Sequence, residues 1–481
     1  MSLQDALLVA QPGDEIRIAR GTYCPGPPGD TTASFQLRDG VTLLGGYVGG
    51  DMATNIRDPR ANPTILCGDI GYDDVFGSGW WRTGWAVNSP NSQHVVSATD
   101  VSGATLDGLV VSQGYAIQSS GAGIYAERSD LHIRNCVFRR NASYQGRGTC
   151  AYILDSQVQF EGCRFEESYG RLSSGVGIGA YGASEVTVAG CAFYDLEADG
   201  DASSGNGGAI EFWTVLPATV VQCSFDRCKA FPFGGQYAQG SGTYGGAIHN
   251  FGAPLSVARC WFTNNISMQG GAIYSWKDLT VNNCVFSGNQ TYALPTSQGQ
   301  SIGGFGGAIA TYSSQNYTLM VVGCTLVNNE AHETGGIWFN GYGTVSALVS
   351  GCILWGNRDQ DGVHCQAQVK KASYCCIQNL WVPRPGEDPI DPAKFPHCFD
   401  LDPQFVAFPT DLRLGPNSPC LDAADRTAHF AGQFWDILGS PRFVDIVWAP
   451  DTGRGSSPLP DMGAFERQLD GPPVTGIPVR R

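Results

Sequence analysis

The 481-residue chain combines 64 Gly and 27 Pro with 42% apolar residues, which is enough for a sizeable core and excludes wholesale disorder. A net charge of −15 with only five lysines argues against nucleic acid, whose binding needs clustered cations, and disfavours an anionic membrane surface. No apolar stretch approaches the ~18–20 residues that span a bilayer.

The opening MSLQDALLVA shows no basic n-region, reads as a trimmed mature start, and leads into an amphipathic segment, SLQDALLVAQPGD. That segment predicts a helix capping the open end of whatever follows. Short alternating runs succeed it: EIRIARGTY, FQLRDGVTLLGGY, PTILCGDI and ATLDGLVVSQG. Between the last two lies a Trp- and Gly-rich insertion at 70–95, long enough to carry function or to be mobile.

From residue 121 onward the chain repeats itself. NCVF (135–138), GCRF (162–165), GCAF (190–193), QCSF (222–225), RCWF (259–262), NCVF (283–286), GCTL (323–326) and GCIL (351–354) are one motif written eight times. The cysteines are spaced 27, 28, 32, 37, 24, 40 and 28 residues apart, one coil each with loop insertions in the longer intervals. GGAI keeps step at 207–210, 245–248, 270–273 and 306–309, with weaker copies GAGI, GVGI and TGGI. An alternating strand separates each from its cysteine, and five repeats close on Asn: FRRN (138–141), FTNN (262–265), FSGN (286–289), LVNN (326–329) and LWGN (354–357). Those Asn residues are expected at turns with positive φ.

Strand, turn, strand, turn at a fixed period, without helices between, predicts an all-β fold. It is a single-stranded right-handed parallel β-helix with an N-terminal cap and an irregular Cys-containing C-terminal region. The expected divisions are 1–60 (cap and first coils), 61–357 (repeat core), 358–466 (C-terminal coils or cap) and a loosely attached tail, 467–481. The eight repeated cysteines are expected as small, reduced core residues. Cys24, Cys67, Cys150, Cys228, Cys365, Cys375, Cys376, Cys398 and Cys420 are the better disulfide candidates, with connectivity open.

With both motifs in view, the GGAI/FxxN pairing resembles the repeat of the polymorphic outer-membrane proteins. AxxGDEIRIARGTY and GVTLLGGY at the start, and DPQF, DLRL, NSPCLD and DMGAFE at the close, resemble secreted bacterial β-helix proteins of the pectin-lyase-like superfamily, choice-of-anchor type. The resemblance spans nearly the whole chain. It implies a polysaccharide or cell-surface glycan partner and a secreted or cell-surface location. It brings no enzyme signature. The paired acidic, GHG and RIK motifs of polygalacturonases are missing, and no Arg or Lys recurs on the repeat face as a lyase base would.

Register gives the candidate site. With the Ile of each GGAI buried, the next residue points outward and the third does again. The first outward position presents Glu211, His249, Tyr274, Ala310 and Trp338 on successive coils; the third presents Trp213, Phe251, Trp276 and Tyr312. Glu211 and His249 on neighbouring rungs are candidates for general acid–base work, with Tyr274 as proton donor or charge stabiliser. Trp213, Phe251, Trp276, Tyr312 and Trp338 are candidate sugar-binding residues, because aromatic faces stack on sugar rings. If enzymatic, the chain would be a polysaccharide lyase or glycoside hydrolase. The alternative is a non-catalytic, adhesin-like surface repeat. Separately, the aromatics are either an exposed platform or a satellite core under the loops at 229–244 and 290–305. No metal site or cofactor is assigned. Asp402, Asp422 and Asp461 read as loop-fixing carboxylates, with calcium the alternative. A monomer is expected.

Overall fold

A computed structural model describes residues 2–50, 56–74, 91–200, 206–232, 242–295, 301–341, 345–359, 371–382, 389–428 and 434–469. Cys365, most of the 70–95 insertion, parts of both later loops and the tail from 470 lie outside these residues. The chain opens on a helix, Leu3–Val9, started by a reciprocal capping box between Ser2 and Asp5; it buries Leu3 and Leu7 against the first coils.

The rest of the repeat is an all-β solenoid. Among the described residues its walls are parallel sheets of eleven, ten, twelve and seven strands, each strand pairing with its counterpart one coil away. One coil shows the circuit. Ile124–Glu127 lies in the ten-stranded wall, Asp130–Arg134 in the eleven-stranded wall, Val137–Arg139 in the twelve-stranded wall and Ala142–Tyr144 in the seven-stranded wall. The chain then returns to Ala151–Leu154, in register with Ile124–Glu127.

The motifs explain the corners. In each GGAI the first glycine holds a left-handed φ of 60–65° (Gly207, Gly245, Gly270, Gly306). The second lies where a Cβ would approach the next coil's carbonyl at 2.2–2.5 Å, as at Gly208 against the Gly246 oxygen (2.2 Å). The residue before each repeated cysteine also holds a positive φ, for instance Asn283 at 47° and Gly323 at 58°.

Inside, like stacks on like. Phe138, Phe165, Phe193, Phe225, Phe262 and Phe286 form one column, with successive ring centroids 4.7–4.8 Å apart and planes within 6°. The cysteines form a second column. Each thiol accepts the amide N–H of the cysteine one coil earlier, as in Cys191 N to Cys223 Sγ (3.4 Å), Cys223 N to Cys260 Sγ (3.4 Å) and Cys260 N to Cys284 Sγ (3.3 Å). Every described cysteine is a free thiol. Cys375, expected outside the ladder, continues it: Cys352 N donates to its Sγ at 3.4 Å. Cys24 and Cys67 hydrogen-bond to each other instead, which holds the Cys24 thiol down at about 6. Cys376 and Cys420 form a similar pair.

The closing Asn of the repeat corrects its expected role. Asn265, Asn289, Asn329 and Asn357 are fully enclosed and form a third column, linked side chain to side chain at 2.8–2.9 Å. The left-handed turn falls one residue earlier, at Asn264, Gly288, Asn328 and Gly356.

The segment 401–469 folds back along the outside of the twelve-stranded wall. Leu412, Ile437, Ala464 and Phe465 pack on Val285 and Val327, and the Ala464 amide donates to Thr325 Oγ1 at 2.9 Å. Asp402 and Asp461 fix loops as expected: Asp402 accepts the Gln404 amide, and Asp461 the Asp422 and Arg467 amides. Arg467 is held both there and by Leu414 O at 2.9 Å; residues 470–481 of the expected tail lie outside the described residues.

Candidate functional site: an aromatic face on the ten-stranded wall

The strand pairings place the candidate residues in the expected rows. Glu211 aligns with His249, His249 with Tyr274, Tyr274 with Ala310 and Ala310 with Trp338. In the neighbouring row Trp213 meets Phe251 (centroids 4.1 Å), Phe251 meets Trp276 (5.4 Å) and Trp276 meets Tyr312 (5.1 Å).

The first row differs from expectation in burial. All its members lie outside the coil, yet Glu211, His249 and Tyr274 are each only 2% exposed and Trp338 6%. Tyr244 covers His249 and Tyr274, with ring centroids at 5.6 and 4.6 Å, and Phe305 stacks on Trp338 at 4.6 Å. Both covering rings come from the inserted loops, so this part of the face is a satellite core. Burial pushes the Tyr274 phenol well above its ordinary range, which removes it as a ready proton donor. Trp338 likewise offers no free face to a sugar. The second row stays at the surface: Trp213 is 42% exposed, and Phe251, Trp276 and Tyr312 are part-exposed.

Glu211 is fully engaged. Its Oε1 lies 3.2 Å from His249 Nδ1, and its Oε2 accepts the hydroxyl of Tyr181. Tyr181 comes from the preceding coil, where Gly179 is the register partner of Glu211. A Cβ at Gly179 would lie 2.9 Å from the Tyr181 ring, so the glycine leaves the ring its place. Burial first, then the Glu211 charge, hold Tyr181 well above its usual range, as a hydroxyl that donates to the carboxylate. His249 Nε2 is enclosed and, among the described residues, has no hydrogen-bond partner. A carboxylate that orients one imidazole nitrogen and leaves the other free is the arrangement of a positioned general base. Here it is closed off from solvent.

The register rule also reaches residues that were not singled out. Applied to Ile124 and Ala151, it gives Tyr125 and Tyr152 at the first outward position; applied to Ile178, it gives Tyr181 at the third, in register with Trp213. Their rings continue the aromatic face, with Tyr125–Tyr152 at 5.5 Å and Tyr152–Tyr181 at 5.2 Å. The exposed Arg147 lays its guanidinium over Tyr181 (5.0 Å) and Trp213 (5.9 Å). The face thus runs from Tyr125 to Tyr312.

No curated protein matches the sequence. Among solved structures, pectate lyase Pel9A aligns over 97% of this chain and 91% of its own, with a TM-score of 0.44 and 13% identity. The family model described as "right handed beta helix region" matches residues 88–379. With more than half of the chain matched, the protein belongs to the right-handed β-helix family.

Proposed function

We propose that the protein is a secreted or cell-surface, monomeric, polysaccharide-binding β-helix that takes its glycan along the row Trp213, Phe251, Trp276 and Tyr312. One observation carries this reading: aromatic rings on consecutive coils, 4.1–5.4 Å apart and still reaching solvent. Strands repeat every ~4.8 Å, so a chain of sugars lying along the axis meets a ring on each coil. Rings offer sugars a large apolar body, and Arg147 beside Trp213 adds a cation for an acidic sugar. Polysaccharide pull-down with uronate and neutral glycans tests this. Trp213→Ala with Trp276→Ala is expected to weaken binding by on the order of tenfold per ring; unchanged binding removes the platform.

The second reading is catalytic, as a lyase or glycoside hydrolase, and rests on the Glu211–His249 pair with its free Nε2. The 2% exposure of both residues favours binding without turnover. Chain cleavage that is abolished by Glu211→Gln and His249→Ala would establish the enzyme; cleavage that survives both would remove these residues from it.

A further inference from the structure

Asp422 closes the NSPCLD motif in the C-terminal segment and is completely enclosed. The stretch 445–453 wraps around it. Ile446 N donates to Asp422 Oδ2 at 3.1 Å, and Thr452 N and Gly453 N donate to its backbone carbonyl at 3.1 and 3.0 Å. The same stretch brings two more carboxylates. One oxygen from each of Asp422, Asp445 and Asp451 lies within 4.8 Å of the others. Asp445 and Asp451 are exposed and, among the described residues, take part in no hydrogen bond or ion pair. No Arg or Lys among those residues is paired with any of the three.

The decisive atom is Asp422 Oδ1. It is buried and, among the described residues, accepts no hydrogen bond. A buried carboxylate oxygen without a donor is costly, and two further negative charges beside it raise the cost. A hard cation relieves all of this at once. The three ligands offer oxygen only, which suits calcium rather than zinc, and the two exposed aspartates leave room for water to complete its 6–8 ligands.

We propose that Asp422, Asp445 and Asp451 form a calcium site that clamps the 445–453 stretch onto the C-terminal segment. Binding with two surface carboxylates and one buried one falls in the weak range of extracellular calcium modules, a Kd of about 0.1–1 mM. The site is independent of the aromatic face.

The other acidic trio, Asp69, Asp73 and Asp74, is the internal control. There Asp74 Oδ1 is also buried without a hydrogen-bond partner among the described residues, but both oxygens of the buried Asp69 accept backbone amides, from Asp73 and Asp74, and Asp74 Oδ2 accepts from Asn91 Nδ2 and Gln113 Nε2. The test is calorimetric titration of CaCl2 into the full chelator-stripped chain, with thermal unfolding in calcium and in EDTA. Expected are one saturable event and a calcium-dependent rise in Tm. Both should be lost in Asp445→Asn with Asp451→Asn, whose exposed positions leave folding intact, and both should be retained in Asp73→Asn with Asp74→Asn. Three results would overturn the proposal: no calcium binding by the wild-type chain up to a few millimolar, binding unchanged in the 445/451 variant, or loss of binding only in the 73/74 variant.

Discussion

Asn289 is fully enclosed, and all of its side-chain capacity is directed along the solenoid axis. Its Oδ1 accepts from Asn265 N (3.1 Å) and Asn265 Nδ2 (2.9 Å), and its Nδ2 donates to Phe262 O (2.9 Å) and Asn329 Oδ1 (2.8 Å). Asn289→Ala therefore orphans groups on two neighbouring coils, each left buried at about 1–3 kcal/mol. The expected outcome is a lower urea midpoint, with faster amide exchange at Asn265. Phe225→Ala in the adjacent ring column removes only apolar contact, so it should lower the midpoint without exposing a specific amide. The ladder residues were legible in the sequence because identical residues recur in step, but their roles were legible only in part. The repeated Cys reads at once as core. The Asn of FxxN reads as a turn residue because Asn tolerates positive φ. The backbone instead turns one position earlier, at Asn264, Gly288, Asn328 and Gly356, and directs the Asn side chain inward. Only knowledge of which neighbour takes the turn separates the two roles.

At the scale of the strand, register was legible and cover was not. A period of two fixes which residues leave the coil, so Glu211, His249 and Tyr274 fall in one row, as the pairings show. What lies above that row depends on the path of inserted loops, which periodicity does not encode. Tyr244 and Phe305 reach over from those loops and withdraw the row from water. Tyr181 follows GVGI, a weaker copy of the motif, and stands at the third outward position, in register with Trp213. The cover is testable. His249 in the native chain should resist imidazole modification by diethylpyrocarbonate, as expected of a ring 2% exposed. Tyr244→Ala should make it reactive at a cost of roughly 3–5 kcal/mol or less for the lost ring. Prompt modification of the native chain would show that the row is open in solution and return Glu211 and His249 to consideration as a working dyad.

At the scale of the whole molecule, the solenoid leaves an apolar strip on the outside of its twelve-stranded wall, and the C-terminal segment covers it. DMGAFE was legible as a motif. Its docking on Val285, Val327 and Trp261 was not, because no periodicity links residue 465 to residue 261. The segment is pinned by Arg442, which is completely buried; its Nη2 donates to Asp461 O (2.8 Å) and Gly463 O (2.6 Å), and its Nε lies 3.8 Å from Glu466. Removing one partner from such a buried arrangement costs about 3–5 kcal/mol. In a solenoid each coil rests on its neighbours, so the loss should stay local. Arg442→Ala is expected to release the C-terminal segment alone. Limited proteolysis should then cut within 401–469, and the amides of Met462, Gly463 and Ala464 should lose exchange protection. Those of Ile248, Ile273 and Ile309, deep in the ten-stranded wall, should keep it. If protection fell along the whole solenoid instead, the segment would be integral to the cooperative unit rather than a clasp laid over a self-sufficient β-helix.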